Sequence, residues 1–261
     1  MSERQPPAWR VAVSLFTTIP AGVGGMLDDE AAARAILWLP AIGLLAGGTG
    51  AGVLFAVARL NATGPGRLLG AALAVAVIAV LTGGLHLDGL ADTADGLGSR
   101  RPAAAALDIM RRPDIGPMGV GALVLLLLVQ VSALAAVPRP PLAAAALLLA
   151  EVTGRVSVVI ATAAPAARPR GFGALVAGRT TAAERALIVG ALASFVAAAA
   201  LTAGGPVLAA RGLAAALAGL LAGRLLQRTA HRRLGGLTGD VFGAILQVSA
   251  TAVLLTAALA G

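Results

Sequence analysis

Asp88, Asp92 and Asp95 stand four and three residues apart, and at about 100° per helical residue they fall within about 60° of one another on one helix face. Like charges at that spacing repel, so a bound divalent cation is the simple compensation. The segment from Thr82 to Gly96 is otherwise mostly Gly, Leu and Ala, with no Lys or Arg interleaved to pair the charges. A solvated acidic helix face is the plain structural alternative. Oxygen-only ligands favour magnesium or manganese, and magnesium usually keeps waters and bridges to substrate phosphates. Immediately downstream, Arg100, Arg101, Arg111 and Arg112 supply planar forks that can hold phosphate oxygens in pairs. His86 could deprotonate a hydroxyl or serve as an interfacial structural residue. Asp240 opens the last apolar run, where a helix cap competes with a site role. Glu151 and Arg155 form an i, i+4 pair inside an apolar run, where ion pairing is the structural account and substrate contact the functional one. The expected site therefore has Asp88, Asp92 and Asp95 as metal ligands and catalytic groups, with Arg100, Arg111, Asp240, Arg155 and His86 contacting substrate. Its chemistry is metal-assisted phosphoryl transfer.

The elements that must position these groups are membrane helices. Of 261 residues, 58% are apolar and only 12% charged, with a mean hydropathy of +0.90, against about 25% charge in a soluble domain. A spanning helix needs about 20 apolar residues, and the windows Ile36–Ala58, Leu68–Leu87, Gly116–Val137, Pro141–Ala164, Ala186–Gly204, Pro206–Leu226 and Val241–Gly261 approach or meet that length. Only Gly204-Gly205-Pro206 separates the fifth and sixth, and Arg211 interrupts the sixth, so six or seven spans are expected. Trp9–Thr18 is amphipathic, stops at Pro20 and is too short to span. The predicted architecture is an all-α, polytopic membrane bundle forming a single integral domain over 1–261. The opening residues carry acids and prolines and show no cleavage pattern of a signal peptide.

The charge pattern sets the orientation. The net charge of +8 comes from 20 arginines without lysine, spread between apolar runs as cytoplasmic retention signals rather than as a nucleic-acid surface. With the N-terminus inside, fifteen arginines fall in the cytoplasm, Arg59, Arg67 and Arg139 fall outside, and Arg155 and Arg211 lie within spans. Eleven of the twelve acids share that cytoplasmic side and Glu151 lies within a span. Acids do not set topology, so their gathering on one face points to function. The absence of cysteine excludes disulfides, thiolate metal sites and cysteine nucleophiles.

At these residues the chain resembles the cobalamin synthase family, the membrane enzymes called adenosylcobinamide-GDP ribazoletransferases. The likeness runs from Phe16-Thr17-Thr18-Ile19-Pro20, through His86-Leu87-Asp88-Gly89-Leu90-Ala91-Asp92 with Asp95-Gly96 and Ile109-Met110-Arg111, to Thr238-Gly239-Asp240 and Gly243-Ala244. It implies joining of α-ribazole, or its 5′-phosphate, to adenosylcobinamide-GDP with release of GMP, a requirement for Mg2+, and a multi-pass protein of the cytoplasmic membrane whose site faces the cytoplasm. Its partners would be these small molecules and the lipid bilayer, with no nucleic acid. Three departures stand out: Arg112-Pro113-Asp114 follows Arg111, Gln247 stands where a glutamate is frequent, and a basic residue, Arg170, precedes Gly171-Phe172-Gly173. Asp88-Gly89-Leu90-Ala91 also partly matches CDP-alcohol phosphotransferases, and a polytopic transporter using Glu151 and Arg155 is the reading from a different class. The oligomeric state is not legible in the sequence.

Overall fold

The computed structural model describes residues 6–23, 29–61 and 63–260. Arg4, which the charge count places inside the cell, and the acids Glu3 and Asp28 lie outside them, as does Gly261 at the end of the last expected span. Among the described residues the regular secondary structure is helical apart from an isolated parallel bridge between Ala166 and Leu237. The helices are α1 (Ala8–Phe16), α2 (Asp29–Ala35), α3 (Leu39–Leu60), α4 (Gly64–Leu81), α5 (Leu85–Gly98), α6 (Ala103–Ile109), α7 (Pro117–Ala136), α8 (Pro140–Ala161), α9 (Phe172–Val176), α10 (Ala182–Leu234) and α11 (Gly239–Leu259).

Six helices are long and apolar enough to cross a membrane, among them the 53-residue α10. That helix is folded on itself. Gly205 has φ 77° and ψ −167°, outside helical space, and Pro206 follows it. A side chain added at Gly212 would sit 2.8 Å from Val196, whereas on a straight helix those residues would be about 24 Å apart. The two arms, 182–204 and 206–234, are therefore antiparallel, so the Gly-Gly-Pro reversal expected from the sequence makes this helix pass the bundle twice. The second expected span ends earlier than its hydropathy suggests. Leu81 closes α4, Gly83 and Gly84 take left-handed φ of 60° and 71°, and His86 and Leu87 join α5. Only glycine adopts that conformation without strain, so the pair marks the break. α1 is short, as expected, and buries Val11, Ala12 and Phe16 against the bundle.

α8 runs through the centre. From Glu151 to Val159 every residue is buried, the pattern of a helix surrounded on all sides. α3 lies close against it because Gly43 and Gly47, four residues apart, have no side chains to hold the backbones apart. A Cβ at either would meet a backbone Cα of α8 at 2.8 Å, that of Val152 or of Leu148. Helices in lipid associate through such small-residue stripes, since apolar burial between them is weak.

The connections gather at two ends. At one end the α3–α4 and α7–α8 turns meet, where Arg67 donates to the Pro138 carbonyl at 3.3 Å. At the other lie α1, α5, α6, α9 and the ends of α8, α10 and α11. Phe172 stacks edge-on against both Phe16 and Phe242, at centroid distances of 5.7 and 6.5 Å, tying three distant segments together beneath the acidic helix.

The tight crossing of α3 on α8 makes a test. Gly43→Ala should lower stability by about 1–3 kcal/mol through overpacking, whereas Gly48→Ala, with nothing within 4 Å of the added carbon, should keep it or raise it by up to about 1 kcal/mol through helix propensity. Thermal unfolding of both variants in the same detergent measures the contrast.

Candidate active site

α5 presents Asp88, exposed, and Asp92, half-buried, on one face. Gly89 allows α11 to cross at contact distance: a Cβ there would lie 2.6 Å from the Asp240 carbonyl oxygen. This approach brings Asp240 to the acidic helix. It is not the cap of α11, because Thr238 has that role. The Thr238 hydroxyl accepts from the Val241 N–H at 3.3 Å and also donates to the Asp240 carboxylate at 3.1 Å.

Asp95 has a different setting from its two neighbours. One of its oxygens accepts the Gly116 N–H at 2.7 Å and the other accepts the Gly119 N–H at 2.9 Å. These are amides at the start of α7, so Asp95 caps that helix from across the gap and clamps α5 to it. The open acidic face consequently comprises Asp88, Asp92 and Asp240. Burial, followed by the charges of Asp88, Asp240 and Asp95, raises the pKa of Asp92 to about 6, against the opposing pull of Arg168.

Arg168 is the site residue that sequence reasoning counted only as a retention charge. It lies in the loop before α9, where Ala167 N–H donates to Leu237 O and Leu237 N–H donates to Pro165 O, both at 2.9 Å. Its Nη2 donates to the Leu107 carbonyl at 2.5 Å. The charges of Asp92, Asp108, Asp240 and Arg111 all act on it. Nothing in the local sequence of this loop announces the encounter; it depends on the pairing of the loop with the residues before α11.

Other expected site residues are placed unevenly. Arg111 is exposed but close enough to act on Arg168. Arg100 is exposed, in a left-handed conformation with φ 55°, and turns the chain from α5 into α6. His86 is buried, about 200° around α5 from Asp88, so it faces away from the acidic side. It lines a small, partly open cavity of about 20 Å³ with Thr82, Gln130, Glu151 and Gln247, room for about one water. Gln247 accepts from Gln130 at 2.9 Å there, apart from the acidic face. Arg155 is wholly buried and donates to the Glu151 carboxylate at 2.6 Å and the Glu151 carbonyl at 3.0 Å. Neither residue of the pair joins the aspartates.

Among the described residues no three carboxylate or imidazole groups form a ready-made ion cage. Asp88, Asp92 and Asp240 instead offer oxygens on an open face, a donor set that fits a magnesium ion retaining waters and taking substrate phosphates. The mutual repulsion that raises Asp92 is what such an ion would relieve.

The model of the family described as cobalamin-5-phosphate synthase matches residues 8–258. The chain belongs to that family. Proteins named adenosylcobinamide-GDP ribazoletransferase are similar to it along almost their full length. That of Frankia casuarinae is 37% identical, covering 96% of this chain and 94% of its own. That of Bradyrhizobium diazoefficiens is 41% identical over 95% and 92%, and that of Stutzerimonas stutzeri 38% identical over 95% and 96%. No solved structure matches significantly. Membership of the cobalamin-5-phosphate synthase family makes the chain a transferase, and it absorbs the partial likeness to CDP-alcohol phosphotransferases. The transporter reading also loses its main support, since Glu151 is already paired with Arg155.

Two expectations separate the aspartates. Asp95→Ala should lower stability by about 1–2 kcal/mol as the α7 cap is lost. The Asp92 pKa is raised on folding, so its contribution to stability is fully present below about pH 4 and lost as pH rises through about 6. The stability of Asp92→Asn relative to the parent should therefore improve from pH 4 to 7 in metal-free buffer, as followed by thermal unfolding.

Proposed function

We propose that this chain joins α-ribazole, or its 5′-phosphate, to adenosylcobinamide-GDP with release of GMP, using Mg2+, at the cytoplasmic face of the cell membrane. The observation that carries the reading is the convergence of Asp88, Asp92 and Asp240 with Arg168 and Arg111 at one end of an apolar bundle. Carboxylates for a cation beside guanidiniums for phosphates are what phosphoryl transfer from a diphosphate requires. The family and the names of its members support the substrate pair.

Asp88 and Asp240 would hold the magnesium, with Asp240 taking the place expected of Asp95. When bound, the ion supplies charge neutralisation to the transferred phosphoryl group and the departing phosphate. Asp92, kept above the ordinary carboxylate pKa chiefly by burial and not needed to hold the ion, accepts the proton of the attacking ribose hydroxyl on a carboxylate oxygen. The ribose oxygen so freed forms a bond to the cobinamide-side phosphorus as the bond from this phosphorus to the GMP oxygen breaks and GMP departs. Arg111 steadies the non-bridging oxygens. Asp95 contributes by fixing the pitch of α5 against α7, and the arginine asymmetry supports the cytoplasmic orientation.

Incubating purified protein with adenosylcobinamide-GDP, α-ribazole and magnesium should release GMP. Asp92→Asn should reduce turnover by roughly a hundredfold or more, and Asp240→Asn should do so without destabilising the fold, since Thr238 caps the helix. GMP release at the parental rate by both variants would overturn the assignment. For sidedness, the chain lacks cysteine, so an Ala104→Cys variant offers one label site on exposed α6. It should resist an impermeant maleimide in intact cells and react in inverted vesicles.

A further inference from the structure

Two arrangements around Arg168 are unfavourable when taken separately. Arg168 and Arg111 act on each other as like charges, and Asp88, Asp92 and Asp240 do so beside them. Guanidiniums held close together are best relieved by a multivalent anion between them, and carboxylates by a cation. The substrate-free protein lets one set partly neutralise the other, with Arg168 standing against Asp92 and Asp240.

The geometry of Arg168 is that of a group held ready for a ligand. Its Nη2 is tethered to the Leu107 carbonyl, which fixes the plane of the fork. Its Nε is buried and has no hydrogen-bond partner among the described residues. A buried unpaired donor is costly, as it is for Nε and Nη2 of Arg155, so the loop holds this guanidinium in place against a penalty. Its backbone is also kept in register with Asp240. Ala166 bridges Leu237, and a Cβ at Gly236 would fall 2.5 Å from the Ala167 nitrogen, so no side chain can intrude.

We infer that Arg168 is the principal diphosphate-binding residue of the site, donating its free Nη N–H groups to oxygens of a diphosphate-bridged ligand once a cation occupies the neighbouring carboxylates. The inference deepens the reading under Proposed function and rests on it for the substrate, but not for the class of ligand. In the empty site Arg168 feels the carboxylates through space without a direct ion pair among the described residues. A cation bound at the carboxylates leaves the tethered guanidinium in place with its charge free for the incoming phosphates, so cation and diphosphate bind with positive coupling. Arg111, exposed and without a tether, contributes charge but little geometry.

The test uses full-length protein in detergent with inorganic pyrophosphate as the probe. Pyrophosphate with magnesium should raise the melting temperature of the parent and of Arg170→Gln, a loss of the same charge two residues along the loop, but not of Arg168→Gln. Arg168→Lys, which keeps the charge and loses the fork, should show a reduced shift. In turnover, Arg168→Gln should raise KM for the diphosphate substrate by about tenfold to a hundredfold, with KM for the nucleoside acceptor unchanged. An undiminished pyrophosphate shift in Arg168→Gln, or in Arg168→Lys if the glutamine variant does not fold, would overturn the inference. So would a rise in acceptor KM alone. A parent that binds pyrophosphate through Arg168 yet releases no GMP would overturn the proposed reaction while upholding the role of Arg168.

Discussion

The site depends on the crossing of α5 and α11 at Gly89. The absence of a side chain there lets the Asp240 backbone sit against α5, and that contact joins carboxylates from two segments far apart in the chain. The same crossing continues one turn deeper, where a Cβ on Gly243 would lie 3.2 Å from the His86 Cα. Two helices that meet through glycine leave little slack, so the positions of Asp88, Asp92 and Asp240 are fixed by backbone packing rather than by long side chains. Such a scaffold suits a reaction whose catalysis rests on electrostatic preorganisation.

Charge is divided between holding the fold and creating a binding face. Asp95 spends both oxygens on amides at the start of α7, and Glu184 does similar service at α10, accepting from the Thr181 backbone at 2.7 Å in a capping box. Asp88, Asp92 and Asp240 have only partial compensation. Burial first and then their mutual repulsion raise the pKa of Asp92, and the repulsive part is an unfavourable contribution to the empty fold that ligand binding can relieve. An acidic cluster fully satisfied by the protein would have nothing left to offer a cation.

A second polar system lies inside the bundle. Arg155 pairs with Glu151 on the central helix through Nη1, its Nε and Nη2 remaining without a hydrogen-bond partner among the described residues, and Gln130 bonds both Gln247 and Thr251 at 2.9 Å. In a membrane, polar groups are tolerated where they satisfy one another in the protein interior. Glu151, Gln130 and Gln247, with His86, border one small cavity. This system links α5, α7, α8 and α11 behind the acidic face and supports α5 from the side opposite its aspartates.

The sequence by itself determined the membrane class, the approximate position of most spans and the acidic helix, but not where the second span ends. Apolar run length, arginine placement and the 3.6-residue period are local properties that need no knowledge of neighbours. Even the reversal at Gly204-Gly205-Pro206 was legible, because glycine and proline state their backbone limits in place. Only the tertiary structure decided which charged groups belong together. Asp95 shares a helical face with Asp88 and Asp92, and no one-dimensional pattern shows that Gly116 and Gly119 claim its oxygens. His86 sits in the same motif but on the other side of the helix. Arg168 looked like one retention arginine among many until its loop paired with Leu237 and carried it to Asp92 and Asp240. Spacing along a helix fixes direction, whereas hydrogen bonding and charge depend on what other segments bring to that face.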